Sequence, residues 1–149
     1  MAVLFGKRRR HLARILIVED EALIAFDNER FLAEEGFEIV ATLDRVEEAV
    51  TLIEAGTEID LVLADVNLAD GSGIDVAQAA HDRGIAVLFV TGACPSHARA
   101  LACGCLSKPY HQRDLVRSID VIEAVRHGGG RTPRAPAGFS LFIDVPQAG

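Results

Sequence analysis

Apolar and polar positions along the chain follow two alternating periods. Ile15 to Val18 is a short β-compatible run that stops at Glu19-Asp20-Glu21. From about Ala22 to Glu35, Ile24, Phe31 and Leu32 recur at helical spacing, and Gly36 marks the end. Glu38 to Leu43 predicts a second strand. Val46, Ala49, Val50 and Ile53 then fall on one helical face, closed by Gly56. Ile59 to Ala64 predicts a third strand, and Gly73 to Arg83 a helix with Ile74, Ala77 and Ala80 inward. The continuous apolar run Ile85 to Val90 predicts a strand buried on both faces. A short helix near Ser96 to Ala102 and a small strand at Cys105-Leu106 follow. The last predicted helix, about Arg113 to Arg126, carries Leu115, Ile119 and Ile122.

Five β-then-α units in series predict an α/β fold, with a parallel sheet covered on both faces. The ends break the pattern. Residues 1–13 are a basic extension expected to fray, and 14–126 form the domain. Residues 127–149 begin as a Gly/Pro/Arg linker and end in an apolar patch, Phe139 to Val145. Docking of that patch by strand addition is favoured over a solvated tail, because two Phe with Leu, Ile and Val are rarely left in water together.

Composition narrows the options. A chain of 149 residues that is 50% apolar suits one domain with a sizeable core. The formal charge of −7 argues against a general nucleic-acid binder. Cys94, Cys103 and Cys105 form no metal-type pair and read as reduced packing residues. The basic stretch Lys7 to His11 precedes an apolar run too short for a signal peptide, and no run is long enough to cross a bilayer. Cytoplasmic location is expected. His81, His97, His111 and His127 share no metal-ligand spacing.

In open parallel sheets, ligands bind beyond the C-terminal strand ends. Glu19 and Asp20 follow the first strand, Asp65 the third, Thr91-Gly92 end the fourth, and Lys108-Pro109 follow the fifth. Acids converging on one rim require a cation, and Mg²⁺ suits an oxygen donor set. A carboxylate, Mg²⁺, a lysine and a hydroxyl together fit phosphoryl transfer onto the carboxylate. Glu21 is read as a helix cap.

RILIVEDE, LVLADVNLADGSG, FVTG and LSKPY, taken as an ordered set, resemble the receiver domain of two-component response regulators over about residues 14–126. The resemblance implies a flavodoxin-like (βα)5 fold with strand order 2-1-3-4-5. It implies Asp65 as phosphoacceptor, with Thr91 and Lys108 completing the catalytic set. Glu19, Asp20, Asp65 and the backbone carbonyl of Asn67 would hold Mg²⁺, and Pro109 would follow a cis peptide bond. It further implies a histidine kinase or phosphotransfer protein as partner. No direct nucleic-acid or membrane partner is expected, and the oligomer is a monomer or weak dimer.

Two departures stand out. Cys105 occupies the strand-five position where most receivers carry an aromatic switch residue. Phe89 to Cys94, FVTGAC, resembles the Phe-Ala-Thr-Gly-X-Tyr subclass of alphaproteobacterial receivers, with Val90 and Cys94 replacing Ala and Tyr. The switch region is therefore assigned to Thr91, Gly92 and Cys105, with the loop after Thr91 expected to move. The interval from Thr91 to Lys108 is also short, which predicts a brief fourth helix.

The expected function is a stand-alone phosphorylation-dependent interaction switch or relay sink that assists only its own phosphorylation and dephosphorylation, and so not an enzyme in the ordinary sense. A pseudo-receiver scaffold is the alternative. An Mg²⁺-dependent aspartyl-phosphate phosphatase of the haloacid-dehalogenase type is disfavoured, since neither EDEAL nor DVNLA supplies a DxDxT signature.

Overall fold

The computed structural model describes residues 10–128 and 131–143. The elements run β1 (Arg14–Val18), α1 (Ala22–Glu34), β2 (Glu38–Leu43), α2 (Val46–Glu54), β3 (Leu61–Ala64), α3 (Gly73–Asp82) and β4 (Ala86–Thr91). A 3₁₀ helix at Ser96–Leu101, β5 (Gly104–Ser107), α4 (Gln112–His127) and β6 (Phe139–Leu141) complete the chain. The sheet order is β2-β1-β3-β4-β5-β6, with the first five strands parallel. This is the flavodoxin-like order expected from the sequence, extended by one strand.

Side-chain alternation within the strands sorts the core into two layers. Leu16, Val18, Val62, Ala64, Val87, Phe89 and Cys105 point to one face and pack with Ala49 and Ile53 of α2 and Val76, Ala77 and Ala80 of α3. Ile15, Ile17, Leu61, Leu63, Leu88, Val90 and Leu106 point to the other, against Leu32 of α1 and Leu115, Ile119 and Ile122 of α4. Every residue of β3 and β4 is buried, which is why those strands read as unbroken apolar runs.

The predicted brief fourth helix is a pair of 3₁₀ turns joined across a kink at Ala98, and β5, the last of the parallel strands, has one edge to spare. The C-terminal segment fills that edge. β6 pairs antiparallel with β5, matching Leu106 to Phe139, Cys105 to Ser140 and Gly104 to Leu141. The Ser107 N–H donates to the Gly138 carbonyl (3.0 Å) and the Phe142 N–H to the Cys103 carbonyl (2.8 Å). Gly104 is obligatory here: a Cβ at that position would sit 2.7 Å from both the Phe139 ring and the Ser140 carbonyl oxygen. Of the apolar patch expected at 139–145, residues 144 and 145 lie outside the described residues.

At the other end, residues 10–13 are packed rather than frayed. Leu12 is buried, its N–H donates to Glu123 (2.9 Å), and Arg10 pairs with Asp120 (2.7 Å) over the face of Phe37. Residues 1–9 lie outside the described set.

The expectation of three reduced cysteines is corrected. Cys94 and Cys105 form a disulfide, 11 residues apart in sequence, and only Cys103 is free. The loop after β4 folds back over β5 and brings the two Cα atoms to 6.0 Å, within the range a disulfide requires.

Candidate functional site

The strands position the site by running their hydrogen-bond ladder one residue past their ends. The Glu19 N–H donates to the Leu43 carbonyl (2.9 Å), that of Asp65 to Val18 (3.0 Å), and that of Lys108 to Thr91 (2.8 Å). Each of these side chains is thus the first beyond its strand, held by a backbone bond to the neighbouring strand. Glu19, Asp65 and Thr91 are buried, whereas Asp20 is exposed. The Lys108–Pro109 peptide is cis.

Lys108 stands at the centre. Its Nζ lies 2.8 Å from Asp65 Oδ2, 3.0 Å from Glu19 Oε1 and 2.9 Å from Glu21 Oε1. The other Asp65 oxygen, Oδ1, accepts the Asn67 N–H at 3.1 Å. Burial works against the charge on Lys108, but the hydrogen bonds it donates to Asp65, Glu21 and Glu19 outweigh it and hold its pKa above the ordinary value. Burial also dominates at Glu19 and pushes its carboxyl up to about 7, against the opposing Glu21 N–H and Lys108.

Four carboxylates, those of Glu19, Asp20, Glu21 and Asp65, each place an oxygen within 4.8 Å of the others. One ammonium is too little charge to balance four carboxylates in a partly dry rim. This all-oxygen donor set fits a hard divalent cation such as Mg²⁺.

The structure brings together Glu19, Asp20, Asp65 and Lys108, as expected, with Asn67 beside Asp65 through its backbone. Thr91 ends β4 next to Lys108, and Gly92 is exposed just beyond it. Cys105 lies on β5 facing α2 and α3, engaged in the disulfide rather than free to switch rotamer.

Sequence reasoning assigned Glu21 to capping. It is indeed the residue before α1, but its side chain makes no capping bond and instead binds Lys108. Its place in the acidic triplet was the available signal. Gly73 was read only as a helix start. A Cβ there would fall 1.9 Å from the Asp65 carbonyl oxygen, so the α3 terminus can close on the acceptor only because residue 73 is Gly. Asp70 lies in the turn that leads to α3, and its side chain also caps α2. It accepts from the Val46 N–H (2.6 Å) and the Glu47 N–H (3.1 Å), and the Val46 bond holds its pKa below the ordinary value.

Beside Lys108 a groove of about 410 Å³ opens between α1 and the start of α4, lined by Ile24, Asp27, Asn28, Pro109, Tyr110 and Gln112. The buried Asn28 amide donates to the Tyr110 hydroxyl at 2.8 Å. No helix among the described residues is long and apolar enough to cross a membrane.

Comparison with known proteins matches residues 15–120 to the family described as the response regulator receiver domain. Transcriptional regulatory protein PdtaR of Mycobacterium tuberculosis is 38% identical over 114 residues, 72% of this chain and 55% of the relative. Cell cycle transcriptional regulator CtrA of Caulobacter vibrioides is 32% identical over 116 residues, 73% of this chain and 49% of the relative. The chain therefore spans about half the length of these relatives. Among solved structures, a CheY-like response regulator receiver domain protein from Methanospirillum hungatei superposes with a TM-score of 0.64 at 30% identity. That match covers 72% of this chain and 90% of the other. The N-terminal domain of a response regulator/sensory box/GGDEF 3-domain protein from Carboxydothermus hydrogenoformans gives 0.68 at 26% identity, covering 76% and 96%.

Proposed function

This chain belongs to the response regulator receiver domain family, and from that premise we propose that Asp65 accepts a phosphoryl group from a phosphorylated histidine of a kinase or phosphotransfer protein. The observation that carries the reading is the pairing of buried Asp65 with Lys108 at 2.8 Å inside a four-carboxylate rim. A merely structural turn aspartate has no need of a half-buried lysine shared with two further acids.

An Asp65 carboxylate oxygen attacks phosphorus, and the donor P–N bond breaks with its electron pair left on the histidine nitrogen. An acyl phosphate results. Lys108, kept cationic by its acidic neighbours, opposes the charge carried by the phosphoryl oxygens. The hydroxyl of Thr91 donates to one of those oxygens. Glu19, Asp20, Asp65 and the Asn67 carbonyl are the residues that would hold Mg²⁺. When bound, the ion supplies further positive charge against the phosphoryl oxygens.

The groove beside Lys108, with Leu23 79% and Phe26 58% exposed on α1, offers an apolar landing surface for the donor. Output follows from protein contacts of the modified receiver, biased by the charge added at Asp65. Chemistry of this kind serves the chain's own phosphorylation and hydrolysis rather than turnover of a separate substrate.

Beryllofluoride, which mimics an acyl phosphate, tests the reading. With Mg²⁺ present, it is expected to shift the amide resonances of residues 65–67, 91–92 and 108, and Asp65→Asn is expected to abolish those shifts. An unchanged wild-type spectrum would reject Asp65 as acceptor and leave a protein-binding scaffold.

A further inference from the structure

The Cys94–Cys105 disulfide joins the two segments that carry Thr91 and Lys108. Cys94 lies three residues after Thr91, and Cys105 three residues before Lys108. These segments are already neighbours in the sheet: Phe89 pairs with Cys105 and Thr91 with Ser107. Past Thr91, however, the chain leaves the sheet, and its attachment becomes sparse.

Among the described residues, no backbone hydrogen bond ties 92–101 to any strand. The bonds that close the two ends of the 3₁₀ segment are local and long, from the Ala98 N–H to Pro95 (3.3 Å) and from the Ala102 N–H to Arg99 (3.4 Å). The ladder resumes only at Cys103, whose N–H donates to Val87 at 2.8 Å. What remains is the burial of Pro95 and Ala98, packing of the 3₁₀ segment against α3, a Cys94 Sγ–Ser107 Oγ contact (3.7 Å), the Arg99 guanidinium over the Phe142 ring (4.4 Å), and the disulfide. Of these, only the disulfide is a covalent bond to β5. The two cysteines also differ in exposure: Cys94 is half-buried, while Cys105 is fully buried.

We propose that Cys94–Cys105 is a reversible redox tether that fixes the loop 92–101 to β5 when oxidised and frees it when reduced. Reduction begins at the more exposed cysteine. A thiolate of a dithiol reductant attacks Cys94 Sγ, the S–S bond breaks, and its electron pair leaves on Cys105 Sγ, which takes a proton. The second thiol of the reductant then attacks the mixed disulfide and releases Cys94 as a thiol. Two electrons and two protons pass to the protein, and the reductant leaves as its own disulfide. A low-molecular-weight disulfide such as oxidised glutathione reverses the sequence.

The consequence for signalling rests on the reading of Asp65 as acceptor. Movement of Thr91 towards a group on Asp65 draws the loop with it, so the reduced form relays that event into 92–101 and the oxidised form resists it. Oxidation state therefore gates output while leaving Asp65, Glu19 and Lys108 in place.

Thiol counting and amide hydrogen exchange test the tether. After treatment with oxidised glutathione, the denatured protein is expected to expose one thiol, that of Cys103, and after dithiothreitol three. Exchange across 92–102 is expected to rise by about tenfold or more on reduction, with β1, β3 and β4 unchanged. Cys94→Ala and Cys105→Ala, without reductant, should match the reduced wild type, whereas Cys103→Ala should keep the full redox response. With beryllofluoride and Mg²⁺, residues 65–67 should shift in both redox states but 92–101 only in the reduced one. Three thiols after oxidation, equal exchange in both states, or an equal response of 92–101 in both would each overturn the tether. Absence of any beryllofluoride response would instead count against Asp65 as acceptor, and the exchange comparison would still uphold or overturn the tether.

Discussion

At the scale of single residues, the site is a balance between burial and charge, and Glu19 shows it most clearly. An ordinary glutamate ionises near 4.5, but burial raises this one to about 7. Between those values the folded protein holds a proton that the unfolded chain has released. The stability supplied by protonated Glu19 is therefore complete below 4.5 and is lost as pH rises through about 7. Glu19→Gln keeps the shape and removes the titration. Between pH 4.5 and pH 8, without divalent cations, the variant should gain up to about 3 kcal/mol relative to wild type. Urea unfolding across that range measures it, and parallel pH profiles would count against the burial argument. Because the same proton competes with a cation, Mg²⁺ should raise the thermal midpoint at pH 8 far more than at pH 5. The candidate site residues were legible because each ends or follows a strand in one ordered set. The partners of Lys108 were not: whether Glu21 turns to cap α1 or to meet the lysine depends on a loop path that no local pattern encodes.

At the scale of elements, two glycines decide how the pieces meet. Gly73 lets α3 begin against the Asp65 carbonyl, where a Cβ would overlap backbone that has nowhere to move. Gly73→Ala should cost about 3 kcal/mol by the usual penalty of overpacking, and denaturant melts read it directly. A loss below about 0.5 kcal/mol would mean that the helix terminus shifts without penalty. Gly104 does the same for β6. Gly104→Val should expel β6 and leave the five parallel strands intact. Loss of exchange protection at the Phe142 and Ser107 amides, without loss at β1 or β3, is the expected signature, and retained protection would show that β6 does not need the gap. The helices on two-period boundaries were readable from spacing and Gly stops. Less readable was α1, whose inner face is Ala25, Asn28 and Leu32. There a buried polar residue stands where the apolar stripe should run, because Asn28 is satisfied by Tyr110 from a distant loop.

For the whole molecule, alternation of strands and helices was enough to predict a doubly covered parallel sheet. The physics is one-dimensional there: an apolar run of β-branched residues must be buried on both faces, and a helix must supply each cover. What the pattern could not supply is the closing of the last edge. The short interval between Thr91 and Lys108 signalled only a brief helix, and the Phe139 patch signalled a segment that docks by strand addition. Which edge receives it, that of β5, needed three dimensions. The disulfide was hidden for the same reason, since nothing in the spacing of Cys94 and Cys105 states that a loop folds back between them.

The assignment of Asp65 as phosphoacceptor is the claim on which the functional reading stands. Incubating the intact protein with acetyl phosphate and Mg²⁺, then weighing it whole, tests that claim most directly. One phosphoryl mass should appear in the wild type, be lost on hydroxylamine treatment as an acyl phosphate is, and be absent from Asp65→Asn. No added mass in the folded wild type with Mg²⁺ present, or an equal addition in Asp65→Asn, would contradict it.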